Sequence, residues 1–366
     1  MTRKPSKIER IIFLTRSGLG DLLLMTPAIR AVRESYPLAR ISILIKQELR
    51  EVFEHNSDVD EILTFDSQAL RETTGWRRLR EELRSLRLLR SGGFDVAIAF
   101  YPEDRTAWWA YLSGARHCVG QRRQPFHFLF NIKVDGYEKK AGVREYFLET
   151  VRAINAETAS RQTTFHLSHE EQSWARDFIL SHGLDDANML IGVHPGASER
   201  YKIWPPENLA AVIDELRRGG DTKVLLLQGP DDEEIIREIT VRMNPTPIVA
   251  STGTKLGRLA ALMKLCRLCI VADSGPRHLA AAIGTPTIAI FRKTHAPAWG
   301  IYGKEGGHVV VESELPCPHC PAEKCGDKIP GGKGFGAYCL RFIPVDAVLS
   351  KVREMTDQPR MGEKGR

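Results

Sequence analysis

No run of about 18 apolar residues occurs anywhere in this sequence, so nothing in it reads as a membrane-spanning helix. Nor is a secretory leader expected. The apolar run after the basic lead ends at Leu14, short of the roughly 7–15 residues that a leader core needs. The lead reads as a polar stretch before a first strand, which points to the cytosol. There is no internal repeat at a short period and no extended low-complexity segment. Cysteine is sparse and odd in number, seven in 366 residues, and without an export signal a disulfide framework is not expected. What remains is a chain of two-domain length, 42% hydrophobic and 27% charged, which suits a globular protein with a full core. The net charge of +6 fits an anionic partner without naming one.

Short β-rich apolar runs alternate with longer helical patterns. Strands are expected at 11–15, 41–45, 62–65 and 96–100, then at 190–194, 223–228, 248–250, 268–272 and 287–291. Helices are expected at 22–36, 76–90, 105–113 and 144–154, then at 206–217, 232–243, 255–265 and 276–283. This alternation implies an α/β fold of parallel sheets covered on both faces. The pattern restarts near Leu190 after a polar stretch at 157–169, read as a connector. The reading gives two Rossmann-like, doubly wound domains, 1–165 and 166–344, with a C-terminal amphipathic helix and a disordered tail over 345–366. Ligands in such sheets sit beyond the carboxyl ends of the strands, so two facing domains would hold the active site in a central cleft.

Three segments carry the chemistry. The first strand runs into RSGLGDLLLMTPAIRAV. Gly18 and Gly20 permit a tight turn or the close approach of a ligand. Leu23 stands where the third glycine of G-x-G-x-x-G would fall. Asp21 can cap the following helix, or it can take a proton from an attacking sugar hydroxyl. Pro27 falls within the first helix by pattern and is tolerable in a first turn, with Thr26 before it as a second cap. The second segment, HPGASERYKIWPP from His194, offers backbone N–H groups with Ser198, Arg200 and Lys202, either a diphosphate site or an ordinary solvated loop. The third, ADSGPRHLAAAIG from Ala272, opens a helix that Asp273 or Ser274 would cap. Its N-terminus, with Gly275 and the Ser274 hydroxyl, can bind phosphate, and His278 is either a ligand contact or a packing residue. Between these, Asp231, Asp232 and Glu233 either bind ribose hydroxyls or complement a helix dipole.

Taken together and in order, these segments resemble glycosyltransferase family 9, the ADP-heptose lipopolysaccharide heptosyltransferases. The matching residues are Gly20, Asp21, Leu22, Leu24, Thr26 and Pro27, then His194, Pro195, Gly196, Lys202, Trp204 and Pro205, then Asp273, Ser274, Gly275, His278, Ala280 and Ala281. The resemblance implies a GT-B fold and an inverting transfer of heptose from ADP-heptose to the inner core of lipopolysaccharide, with no cofactor in catalysis. It implies Asp21 as general base, Lys202 on the phosphates, the Asp273–Gly275 loop against the donor, an acceptor-binding N-terminal domain and a donor-binding C-terminal domain. Arg277 departs from the family, where a smaller apolar residue is common.

The stretch from Arg71 to Arg90 has seven Arg and three Glu, and its leucines are expected to dock a helix on the sheet behind a solvated basic face. With Arg122 and Arg123 this charge suits the lipid A–core oligosaccharide acceptor or peripheral contact with the anionic cytosolic face of the inner membrane. No nucleic-acid fold signature accompanies it. Cys317, Cys320, Cys325 and Cys339 form a C-x2-C-x4-C-x13-C array, read as a structural zinc site or as four reduced thiols. Three alternatives stay open: another nucleotide-sugar or a protein acceptor, a sugar-nucleotide epimerase of the same shape, and a non-catalytic nucleotide-binding module.

Overall fold

The computed structural model describes residues 8–71, 75–101, 103–123, 125–135, 142–184, 189–218, 220, 222–292, 306–314, 336 and 338–357. The chain divides into two compact units, Met1–His166 and Leu167–Arg366.

The first unit holds a six-stranded sheet of β1 (Arg10–Leu14), β2 (Arg40–Lys46), β3 (Glu61–Phe65), β4 (Val96–Ala99), β5 (His117–Gln121) and β6 (Ile132–Val134). The order is β3-β2-β1-β4-β5-β6, and every pairing is parallel. The second unit repeats the scheme with β7 (Met189–His194), β8 (Thr222–Gln228), β9 (Ile248–Ser251), β10 (Leu268–Ala272), β11 (Thr287–Phe291) and β12 (His308–Glu312). There the order is β12-β11-β10-β7-β8-β9, again parallel throughout. The central strands bury nearly every residue, as parallel strands covered on both faces must.

The helices of the first unit are α1 (Leu19–Ser35), α2 (Ser67–Arg71), α3 (Trp76–Ser91), α4 (Asp104–Leu112) and α5 (Val143–Arg152). Those of the second are α6 (His169–Ser181), α7 (Pro206–Arg218), α8 (Glu233–Thr240), α9 (Leu256–Leu265), α10 (Gly275–Ala282), α11 (Tyr338–Arg341) and α12 (Val345–Thr356). Among the described residues no helix is long and apolar enough to cross a membrane.

Several expectations need correction. α1 starts at Leu19, so Pro27 lies in its interior and Thr26 caps nothing. A proline there deprives the Leu23 carbonyl of its usual donor. The buried Thr26 hydroxyl donates to that carbonyl at 2.8 Å and accepts the Thr164 N–H at 3.0 Å. The stretch at 157–166 is therefore pinned to the first unit. Arg30 reinforces it, reaching the Gln162 carbonyl at 3.0 Å and the Thr164 hydroxyl at 3.1 Å. Beyond that stretch the chain enters a helix, α6, opened by a capping box between Ser168 and Glu171. The C-terminal helix α12 is no appendage, since Val348, Leu349 and Val352 enter the hydrophobic core of the second unit. The tail expected to be disordered lies, from 358 on, outside the described residues. On α3 only part of the expected leucine stripe docks: Leu86 and Leu89 pack on the core beside the buried Glu81 and Ser85, while Leu79 and Leu83 stand exposed.

Candidate active site

In each sheet the chain winds outward one way from a central strand and then returns to wind the other way. The order reverses between β1 and β4 in the first unit, and between β7 and β10 in the second. Loops at such reversals diverge beyond the carboxyl edge and leave a crevice there. The candidate groups fall at these two places.

In the first unit the loop after β1 is shaped by the Thr15 hydroxyl, which donates to Ser17 Oγ at 2.9 Å and accepts the Ser17 N–H at 3.2 Å. Neither glycine makes a tight turn. Gly18 is the extended residue before α1, with φ −87°, and Gly20 lies within the helix. No protein atom comes within 4 Å of where a Gly18 Cβ would stand. Asp21 is the third helical residue. It accepts the Gly18 N–H, and the Tyr101 hydroxyl donates to its Oδ1 at 2.8 Å. Tyr101 lies just after β4, so this bond spans the reversal point.

Burial holds the Asp21 pKa above the ordinary value of 3.8 and outweighs Tyr101, the Gly18 N–H and Lys46, which act against it. Glu103 adds to the rise. Lys46, at the end of β2, falls below the usual 10.5, chiefly through burial with help from Arg71 and Arg16. Arg16 and Glu103 pair at 3.5 Å. Arg122 and Arg123 come directly after β5 and are exposed, and Arg122 pairs with Asp135 at 2.9 Å.

In the second unit β7 ends at His194, which is buried with its Nε2 3.3 Å from Asp232 Oδ2. Burial lowers the His194 pKa and Asp232 opposes that, so the imidazole is neutral at pH 7. Asp232 Oδ2 also accepts the Gly229 N–H at 2.8 Å. A Cβ at Gly196 would lie 1.7 Å from Asp232 Oδ1, which only glycine avoids. The buried Asp232 thus braces the loops after β7 and β8. Of the ribose candidates, Asp231 and Glu233 remain exposed.

The Ser274 hydroxyl makes no bond to its own helix. It donates to the Gly196 carbonyl at 3.0 Å and ties the loop after β10 to the loop after β7. Asp273 and His278 are both buried. Burial pushes the His278 pKa down to about 3, and Arg277 adds to that. His278 is therefore a neutral, enclosed ring with no charge to offer an anion at pH 7. Arg277 is itself buried, its guanidinium 4.7 Å over the Phe291 ring.

Ser198 is exposed, and Arg200 pairs with Glu234. Lys202 is part-buried and makes no ion pair among the described residues. Next to it Ile203 and Trp204 are buried in the core, so the tryptophan of this segment anchors the lysine instead of meeting a ligand. The Arg200 carbonyl accepts the Gly336 N–H at 3.1 Å.

A sequence profile of glycosyltransferase family 9 (heptosyltransferase) matches residues 82–328. The chain belongs to this family. As a family-9 glycosyltransferase it has an Escherichia coli relative, lipopolysaccharide heptosyltransferase 3, 26% identical over 293 residues that cover 76% of this chain and 82% of the relative. Its fold matches the family-9 glycosyl transferase of Veillonella parvula with a TM-score of 0.78 at 25% identity, covering 95% and 97% of the two chains. It also matches the structure of the E. coli heptosyltransferase WaaC with ADP, with a TM-score of 0.72 at 18% identity, covering 94% and 99%. These likenesses make the fold that of the GT-B heptosyltransferases, as expected. The profile takes in the loops of the second unit and leaves Asp21 outside.

Tyr101 and Lys46 carry no signal of their own in the sequence of this glycosyltransferase, and nothing there pairs His194 with Asp232, because each contact depends on a partner distant in the chain. Cys317, Cys320 and Cys325 lie outside the described residues, while Cys339 is buried in α11. Among the described residues no group of three or more His, Cys, Asp or Glu is placed to hold a metal.

Proposed function

We propose that this glycosyltransferase moves heptose from ADP-heptose to a hydroxyl of the lipopolysaccharide inner core, on a lipid A–core acceptor, with inversion at the anomeric carbon. The observation that carries the reading is the Asp21 carboxylate at the first reversal point, hydrogen-bonded by Tyr101 and Gly18, with its proton affinity raised by burial. A base of raised pKa removes a hydroxyl proton better than an ordinary carboxylate does.

In the proposed reaction Asp21 takes the proton of the acceptor hydroxyl while that oxygen attacks the anomeric carbon. The bond from that carbon to the diphosphate oxygen breaks on the opposite face, and ADP leaves. Lys202, Ser198, Gly275 and the first-turn N–H groups of α10 meet the charge that grows on the diphosphate, so the step needs no cofactor. Asp231 or Glu233 holds the ribose. The buried Asp232, Asp273 and His278, with the part-buried Ser274, serve as the support of these loops. On this reading the first unit binds the acceptor and the second the donor. Gly18, whose α-carbon faces open space, and Arg122 and Arg123 lie on the acceptor side.

Family membership supports a sugar transfer over epimerisation or mere nucleotide binding. The test is a donor screen. Purified protein with truncated core acceptor should release ADP from ADP-heptose and leave other nucleotide-sugars intact. ADP release that survives Asp21→Ala would remove the proposed base, and release from a different nucleotide-sugar alone would replace the donor.

A further inference from the structure

Apart from Leu38, between α1 and β2, the exposed large apolar side chains of the first unit lie on α3, α4 and the segment after β5. Trp76, Leu79 and Leu83 stand out from α3, Trp108 and Tyr111 from α4, and Phe128 lies in the segment after β5. Trp76 is 84% exposed and Phe128 67%. Apolar residues scattered singly over a surface need no explanation, but a contiguous set marks an interaction site. The aromatic part is continuous. Tyr111 meets Trp108 at 6.3 Å between ring centroids, Trp108 meets Phe126 at 5.5 Å, and Phe126 meets Phe128 at 6.0 Å. α3 and α4 lie side by side, joined by Arg105 to Glu82 at 2.8 Å and by Arg90 Nε donating to the Leu112 carbonyl at 3.1 Å.

The charge on α3 is predominantly positive. α3 carries six Arg against two Glu, a net of 6 − 2 = +4. One of the two acids, Glu81, is buried and paired with Arg84 at 2.9 Å. Arg80 and Arg87 are exposed beside Trp76 and Leu83 on the helical wheel. A helix with an indole and leucines flanked by arginines, turned away from its own core, has the make-up of an interfacial helix lying in the plane of a bilayer. Indole rings favour the headgroup level, and arginines bind anionic headgroups. A soluble anion would leave the apolar side chains uncovered, whereas an anionic bilayer meets the apolar and the basic groups at once.

We propose that α3, with the aromatic patch of α4 and residues 126–128, docks this protein on an anionic lipid surface. The docking rests on this face alone and holds whichever nucleotide-sugar the enzyme uses.

The test is flotation of the full chain with phosphatidylcholine vesicles, with and without about one third phosphatidylglycerol, at low and physiological salt. Binding should need the anionic lipid, weaken with salt, and shift the tryptophan emission to the blue. Arg80→Gln and Arg87→Gln should each weaken it about fivefold. Trp76→Ser combined with Leu83→Ser should weaken it by about tenfold or more at unchanged melting temperature. ADP release with a water-soluble acceptor should stay as in the parent protein. No vesicle binding, equal binding to neutral vesicles, or indifference to all these variants would overturn the proposal. So would a dimer in solution that Leu79→Ser and Leu83→Ser dissociate, which would give the face to a second copy of the chain.

Discussion

Both units wind six parallel strands in one order, yet the loop that leaves the first strand is built differently in each. In the first unit the chain passes straight from an extended Gly18 into α1, and the resulting crevice holds a carboxylate partly shielded from water. In the second, the loop after β7 is drawn inward by His194, Asp232 and Ser274 before it rises to Lys202. The acid of the first unit is spared full ionic pairing. The acids of the second that lie closest, Asp232 and Asp273, are buried as support. On the proposed reading, the same topology thus serves proton removal in one unit and anion binding in the other. Topology decides where a crevice opens, and the loop residues decide its sign.

The largest effect that bears on this contrast comes from Asp21→Asn. Turnover should fall about 10²–10⁴-fold while ADP-heptose affinity, measured by calorimetry, stays. The same change should stabilise the fold. Burial raises the folded pKa of Asp21 above 3.8, so ionised Asp21 costs stability. That cost is absent below the unfolded pKa, where both states are protonated, and complete above the folded pKa. The urea midpoint of the variant should therefore exceed that of the parent at neutral pH, and the gap should close as pH falls below 3.8. A midpoint gap independent of pH would show that Asp21 is not under strain.

Lys202→Ala should lower kcat about 10²–10³-fold, as loss of a group aimed at developing charge does, with a smaller effect on acceptor KM. Equal loss of donor and acceptor affinity would break the division of labour between the units. Gly196→Ala should cost about 1–3 kcal/mol in a denaturant titration, because the added methyl meets Asp232 at 1.7 Å. It should also weaken donor binding before acceptor binding. The smallest effect is expected for Tyr101→Phe. Removing a hydrogen bond that lowers the Asp21 pKa should move the acid limb of the kcat/KM profile to higher pH, with less than about a tenfold loss on the alkaline side.

Much of this organisation is legible before folding. The apolar runs of β1, β2, β7, β8 and β10 are strong because parallel strands bury both faces. β5 escapes a reading of the sequence because His117, Gly120 and Gln121 dilute its apolar signal, and β6 because three residues carry no periodicity. α6 escapes a reading of the sequence because its surface is charged, although Ser168 and Glu171 spell out its capping box. On α3 Leu86 and Leu89 dock as expected but Leu79 and Leu83 do not, because helical spacing reports that a stripe exists, not what covers it.

The positions of the candidate site are readable wherever a glycine or a helix start succeeds a strand, as at Asp21, Gly196 and Ser274. The sequence by itself determined the alternation of strand and helix, and with it two parallel sheets whose loops end at known places, because backbone propensity and apolar period are local properties. Only the tertiary structure decided that Tyr101 meets Asp21, that Asp232 turns inward to His194, that His278 is enclosed and neutral, and that Leu79 and Leu83 face outward. Those outcomes depend on burial and on partners 38 to 80 residues away, and desolvation acts only once the chain has closed around a group.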